Sequence, residues 1–171
     1  MTDSISIETD RLTLTPLSLE VAIAMMFRNQ AVVEQLLGVS VPSSWFELGV
    51  RDFLLQYIRQ LESDPANFCW GTWIMIHPVD RRLIGNLGFH GAPNLDRTVE
   101  MGYEIIPDYR RQGYTTEAVI ALVKWALTQP QINRIFAQCH VENIGSIKIL
   151  EKVGMQRLWQ DGDRWQWQIK R

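Results

Sequence analysis

Cysteine is scarce: Cys69 and Cys139 are the only two in 171 residues. Without C-x-x-C spacing they are read as reduced, buried thiols that behave as small hydrophobes. The three histidines, His77, His90 and His140, are scattered rather than set at ligand spacing, so no metal is implied. An excess of one charge is also missing. A formal net charge of -2 argues against a general nucleic-acid binder, which needs a basic face, so any anionic ligand has to be held locally. No apolar run is long enough to span a bilayer, and no secretory or transit segment is evident; the expectation is a cytoplasmic protein with no membrane partner. Repeats, low-complexity tracts and linkers are absent. The length suits one domain with a real core and not two, so residues 1–171 are expected to form a single domain.

What the chain does have is a strand, turn and helix in close succession. Residues 99–106 are an apolar strand, Pro107 marks its exit, and Arg110-Arg111-Gln112-Gly113 makes a basic turn before a helix opening at Thr115 or Thr116. Such a junction leaves unpaired backbone N–H groups at the positive end of a helix dipole, which is a site for phosphate. The turn lacks both G-x-x-x-x-G-K-[ST] and three spaced glycines, so neither a P-loop nor a dinucleotide site is indicated.

The segment R-x-x-G-x-T from Arg110 to Thr115, followed by Thr116-Glu117-Ala118, resembles the R/Q-x-x-G-x-G/A signature of the GCN5-related N-acetyltransferases (GNAT), whose loop binds the pyrophosphate of acetyl-CoA. NIGSIKILEKVG at residues 143–154 is similar to the N-x-x-S-x-x-x-L-E-K-x-G segment of the RimJ/RimL-like branch, and ETDRLTLTPL at residues 8–17 is like that branch's opening. The resemblance implies an α/β fold: a mixed, mostly antiparallel twisted sheet with one splayed parallel strand pair, flanked by helices. Thr115 departs from the pattern, standing where Gly or Ala is usual; its branch could crowd the pyrophosphate, or its hydroxyl could donate to it.

The remaining elements follow from periodicity and turn chemistry. Residues 5–14 alternate as a half-buried strand ended by Pro16. Ser18 caps a helix at 19–29, and a shorter one follows at 31–37. Ser44 and Glu47 form a capping box before Phe46, Val50, Phe53, Leu54, Tyr57, Ile58 and Leu61, the clearest amphipathic helix in the chain. Trp45 and Phe46 are read as core or rim packing, with lining of an acceptor pocket as the alternative. Strands are expected at 68–76, 82–90, 99–106 and 132–140, with glycines at 85 and 88 marking a bulge or close backbone approach. The helix at 116–128 makes 99–106 and 132–140 a parallel pair through a right-handed crossover. Asn143 caps a helix at 144–153, Gly154 ends it, and Asp161-Gly162 turns a hairpin on which Trp159, Trp165 and Trp167 cluster. That hairpin is a surface on which a homodimer could form.

The resemblance carries roles onto these positions. Backbone amides of Gln112, Gly113, Tyr114, Thr115 and Thr116, aided by Arg110 and Arg111, would anchor the co-substrate acetyl-CoA. Main-chain amides near Ile105 and Ile106 would polarise its carbonyl, and Asn143 would meet the pantetheine. Ser146 would give a proton to the departing thiolate, with Tyr103 and Tyr114 as other donors. A primary amine must be neutral to attack, and Glu100, on the same strand face as Gly102 and Glu104, is the leading base, acting through water. Glu104 and His90 are alternatives, and the structural counter-reading of Glu100 is a carboxylate paired with an arginine. The function implied is acetyl transfer to an amine, whether a protein amino terminus or a small molecule. A non-catalytic acyl-CoA-binding sensor of the same fold is the rival reading.

Overall fold

The structure, a computed structural model, describes residues 5–48 and 51–171. In chain order its elements are β1 (Ile7–Glu8), β2 (Thr13–Pro16), α1 (Leu19–Met26), α2 (Gln30–Leu37), α3 (Arg51–Ser63), β3 (Thr72–His77), β4 (Arg82–Phe89), β5 (Thr98–Ile105), α4 (Tyr114–Thr128), β6 (Arg134–His140), α5 (Ile144–Val153), β7 (Gln156–Asp161) and β8 (Arg164–Lys170). The strands form one open sheet ordered β1-β2-β3-β4-β5-β6-β8-β7. Every neighbouring pair is antiparallel except β5 and β6, as the crossover through α4 requires.

Local chemistry explains where elements start and where the sequence reading needed correction. The opening strand is broken in two, because Thr9 Oγ1 accepts the Leu12 N–H at 2.9 Å and closes a tight turn between β1 and β2. Ser18 caps α1 by accepting the Val21 N–H, as expected. Ser44 and Glu47 are not the N-terminus of the amphipathic helix. They lie inside a 3₁₀ turn, Ser43–Glu47, and α3 is a separate element; Val50 of the expected apolar stripe lies outside the described residues. Residues 68–70 are likewise not strand: Asp64 caps Pro65–Trp70 as a 3₁₀ helix by accepting the Ala66 N–H at 3.0 Å, and β3 begins only after Gly71.

The core lies between the sheet and its helices. Its largest fully buried side chains are Trp45, Trp73 and Trp167, so Trp45 is a core residue. Cys139 is buried and its Sγ accepts the Trp167 indole N–H at 3.2 Å, whereas Cys69 is only half-buried, against expectation. The hairpin tryptophans do not form one cluster: Arg157 stacks over Trp165 and Trp167, while Trp159 is exposed. Gly88 is imposed by close approach, since a Cβ there would stand 2.1 Å from the Gly71 carbonyl oxygen.

Candidate active site

The parallel ladder between β5 and β6 runs from Thr98 opposite Arg134 to Met101 opposite Ala137 and stops there. Beyond it, each strand stays with its outer neighbour. β5 remains paired to β4 as far as Ile105 opposite Gly85, and β6 to β8 as far as His140 opposite Arg164. The two strands therefore part, and the direction of their backbone groups decides what faces the gap. The His90 N–H donates to the Glu100 carbonyl and the Ile106 N–H to the Ile84 carbonyl, each at 2.9 Å. Even-numbered residues of this stretch thus spend their backbone groups on β4, and the N–H groups of Tyr103 and Ile105 turn towards the gap. Of the expected pair of amides, Ile105 is free to donate. Ile106 is not, because its N–H is already bonded and the residue is fully buried.

Beyond Ile105 the chain enters the basic turn. Arg110 Nε donates to the Ile105 carbonyl at 3.1 Å, which ties the turn to the end of the strand. Arg111 and Gly113 both adopt left-handed backbone conformations, with φ of 61° and 84°. Alternation of this kind curls successive amides inward as an anion-binding nest. Gly113 is the N-cap of α4 and supplies no side-chain cap, and the first backbone bond of the helix is Glu117 N–H to the Gly113 carbonyl. The amides of Tyr114, Thr115 and Thr116 consequently make no hydrogen bond among the described residues. The helix begins at Tyr114, slightly earlier than expected, and Thr115 opens its buried stripe with Ala118, Val119 and Leu122. Only 8% of Thr115 is exposed, so its branch is taken up on the packed side of the helix and does not stand across the turn.

The brace of this turn comes from the far end of the chain. Glu117 accepts from Thr9 Oγ1 at 2.6 Å, from the Arg11 N–H at 2.8 Å and from Arg11 Nε at 2.7 Å. Arg11 Nη1 also donates to the Gln112 carbonyl, and the guanidinium lies 4.3 Å from the centre of the Tyr114 ring. Tyr114 is held on its other side by His77, whose Nε2 is 3.1 Å from the phenol oxygen.

A cleft of about 440 Å³ opens where the strands part. Tyr103, Asn143 and Ser146 line one part of it, and Asn86, His90, Glu100, Gly102 and Glu104 another; the basic turn stands outside it, past Ile105. Asn143 is the N-cap of α5, accepting the Ser146 N–H at 3.0 Å, and the Ser146 hydroxyl lies 2.6 Å from the Tyr103 phenol. Burial pushes the Tyr103 phenol up to about 12, opposed by its bond to Ser146, so it is protonated at neutral pH.

The two carboxylates of the cleft are shifted in opposite directions. Glu100 is held below the usual range, first by His90 at 3.7 Å, with Gln138 donating at 2.9 Å and the charge of Arg164 adding to it, against burial. Glu104 is raised by burial, with Arg110 opposing. The leading base of the sequence reading is therefore the weaker base of the two.

This combination of parted strands, nest and helix tip is matched at the level of sequence. Residues 11–156 match the model of the acetyltransferase (GNAT) domain. The chain belongs to the GNAT acetyltransferase family. Among curated GNAT relatives, the uncharacterized N-acetyltransferase YjdG of Bacillus subtilis (strain 168) is 28% identical over 148 residues, spanning 86% of this chain and 88% of that protein. The ribosomal-protein-S5-alanine acetyltransferase of Vibrio fischeri superposes with a TM-score of 0.67 at 17% identity, over 97% of this chain and 96% of that one. RimL, a ribosomal L7/L12 alpha-N-protein acetyltransferase solved with coenzyme A, also gives 0.67, at 14% identity over 97% and 98% of the chains. At these identities the structural likeness is one of fold.

Arg11, Asn86, Gln138 and Arg164 were not among the expected site residues. Arg11 sits within the family-like opening segment, and Asn86 is a polar residue in an otherwise apolar strand; those were the available signals.

Proposed function

We propose that this GNAT protein is an acetyl-CoA-dependent N-acetyltransferase that moves the acetyl group directly to a primary amine. The observation that carries the reading is the pair of amides, Tyr103 and Ile105, that face the gap between β5 and β6, with the open N-terminus of α4 beyond the end of the strand and a cleft holding two carboxylates where the strands part. The unpaired amides of Tyr114–Thr116, with Arg110 and Arg111 beside them, fit a diphosphate, and the strand amides fit the carbonyl of a thioester. When bound, acetyl-CoA supplies an acyl group activated by a good leaving thiolate.

The chain's own groups do the rest. Glu104 takes the proton of the acceptor ammonium; its raised proton affinity suits it to this better than Glu100, which stays ionised beside His90 and Gln138. The neutral nitrogen forms its bond to the acetyl carbon, the carbon–sulfur bond breaks, and the electron pair leaves on sulfur. The Ser146 hydroxyl, hydrogen-bonded to the protonated Tyr103 phenol, gives a proton to that sulfur; the second proton that the nitrogen sheds on becoming an amide restores the Ser146–Tyr103 pair, and the proton held by Glu104 is the one released to solvent. Asn143 keeps Ser146 in place and offers its amide to the pantetheine. Neighbours of the same fold named for acetylating ribosomal proteins support a protein amino terminus as one acceptor class; small amines are the other.

The test is release of free thiol from acetyl-CoA over a panel of peptides and amines, alongside thermal unfolding with acetyl-CoA. Stabilisation together with amine-dependent thiol release supports the reading. Stabilisation without turnover fits the acyl-CoA-binding module, and neither effect sinks both.

A further inference from the structure

Three cross-strand rows of β4 and β5 share one face of the cleft. At one end His90 faces Glu100, in the middle Gly88 faces Gly102, and at the other end Asn86 faces Glu104. The middle row is bare, and for different reasons on its two strands. Gly88 is required by the backbone of Gly71. Gly102 is not: it has no positive φ, and a Cβ there would meet only His90 Nε2, at 3.2 Å. A glycine inside a strand is destabilising relative to alanine. Here it keeps a hollow open between the two polar rows.

Asn86 borders that hollow. It is 8% exposed, it lines the cleft, and its Nδ2 is buried without a hydrogen-bond partner among the described residues. Its diagonal neighbour on the same face, Thr72, is 6% exposed and does not bond to it either. A buried amide left unpaired is destabilising, and a ligand oxygen would relieve that. Directly opposed cross-strand residues hold their Cβ atoms about 5 Å apart. Groups bound by Asn86 and Glu104 must therefore be close together on one ligand.

We propose that Asn86 determines acceptor specificity: its side-chain amide bonds the oxygen of a carbonyl attached to the carbon that bears the acceptor nitrogen, while Glu104 holds that nitrogen over the Gly88–Gly102 hollow. α-Amino carbonyl compounds are then preferred to plain alkylamines. The inference rests on the transferase reading above. Its test compares kcat/KM of the full chain for glycinamide and n-propylamine at saturating acetyl-CoA, before and after Asn86→Leu. The ratio of the two acceptors' changes cancels their different basicity. Asn86→Leu is expected to lower kcat/KM for glycinamide about tenfold, the worth of one hydrogen bond, and to leave n-propylamine within about twofold. Its melting temperature should not fall, since an unpaired amide is replaced by an apolar group of similar shape. Equal losses on both acceptors, or none on either, overturn the proposal. Should Asn86→Leu not fold, Gly102→Ala reads the same subsite: a raised acceptor KM with an unchanged acetyl-CoA KM supports it, and an unchanged acceptor KM overturns it. If neither amine is acetylated while acetyl-CoA still raises the melting temperature, the subsite falls and the co-substrate site stands. If acetyl-CoA has no effect, both fall.

Discussion

The Tyr103 phenol and the Ser146 hydroxyl meet at 2.6 Å across the opening between β5 and β6, joining the free end of a strand to the first turn of α5. The phenol is protonated at neutral pH, so the pair is a proton donor at rest. Removing either hydroxyl should slow the step that expels the thiolate without loosening the co-substrate. Ser146→Ala and Tyr103→Phe are each expected to lower kcat about 10²-fold, with the acetyl-CoA KM within about threefold. Unchanged kcat in both variants, measured by thiol release, removes the pair from the chemistry.

Glu104 and Glu100 should separate in both activity and stability. Glu104 has a raised pKa, so its ionised form opposes folding; its contribution is best at acid pH and is lost as pH rises through its folded value. Glu104→Gln should therefore raise the melting temperature at pH 7 while lowering kcat/KM about 10²-fold. Glu100 is shifted down, so the stability it contributes is present at neutral pH and lost as pH falls through its folded value. Glu100→Gln should lower the melting temperature at pH 7 and leave none of that acid-side dependence. The opposite pattern of stabilities would contradict the electrostatic assignment, and equal activity losses would contradict the choice of base.

Arg11 and Glu117 stand 106 positions apart in the chain and fix the turn that opens α4. Burial alone would raise the Glu117 pKa, but the hydrogen bonds from Thr9 and Arg11 and the Arg11 charge hold it below the usual range. The brace is therefore intact at neutral pH and lost as pH falls through that lowered value. Arg11→Ala should cost about 1–2 kcal/mol of stability and raise the acetyl-CoA KM about tenfold, with the acceptor KM unchanged. Steady-state kinetics with each substrate varied in turn checks this; an effect confined to the acceptor would refute it.

Gly113 has φ of 84°, and a Cβ there would lie 3.3 Å from Arg11 Nη2. Gly113→Ala should cost about 1–2 kcal/mol from the left-handed backbone alone, and Gly113→Asn less, because asparagine tolerates that region. Denaturant unfolding of the two variants gives the comparison; equal costs would mean that the nest conformation is not maintained.

Most of the fold was legible because its signals are local. An apolar run with its exit at Pro107 marked β5, Ser18 and Asn143 marked caps, and Asp161-Gly162 marked the hairpin. Two of the misreadings came where a short polar side chain redirected the backbone, as Thr9 does between β1 and β2 and Asp64 does before Pro65. The Arg110–Thr116 turn and Ser146 were readable from motif spacing, yet what surrounds them was not. The fate of the Ile106 amide depends on its register with Ile84 in β4. The opposite shifts of Glu100 and Glu104, which share a strand face, depend on His90, which lowers the first, and on burial, which raises the second against the pull of Arg110. Asn86 gains its meaning only from the residue paired across from it.

The proposal that particular backbone amides hold the co-substrate is open to titration of the ¹⁵N-labelled chain with acetyl-CoA, followed amide by amide. The largest shifts are expected on Gly113 to Thr116 and on Tyr103 and Ile105, with Ile106 little changed. Shifts concentrated elsewhere, with those amides unmoved at saturation, would contradict it.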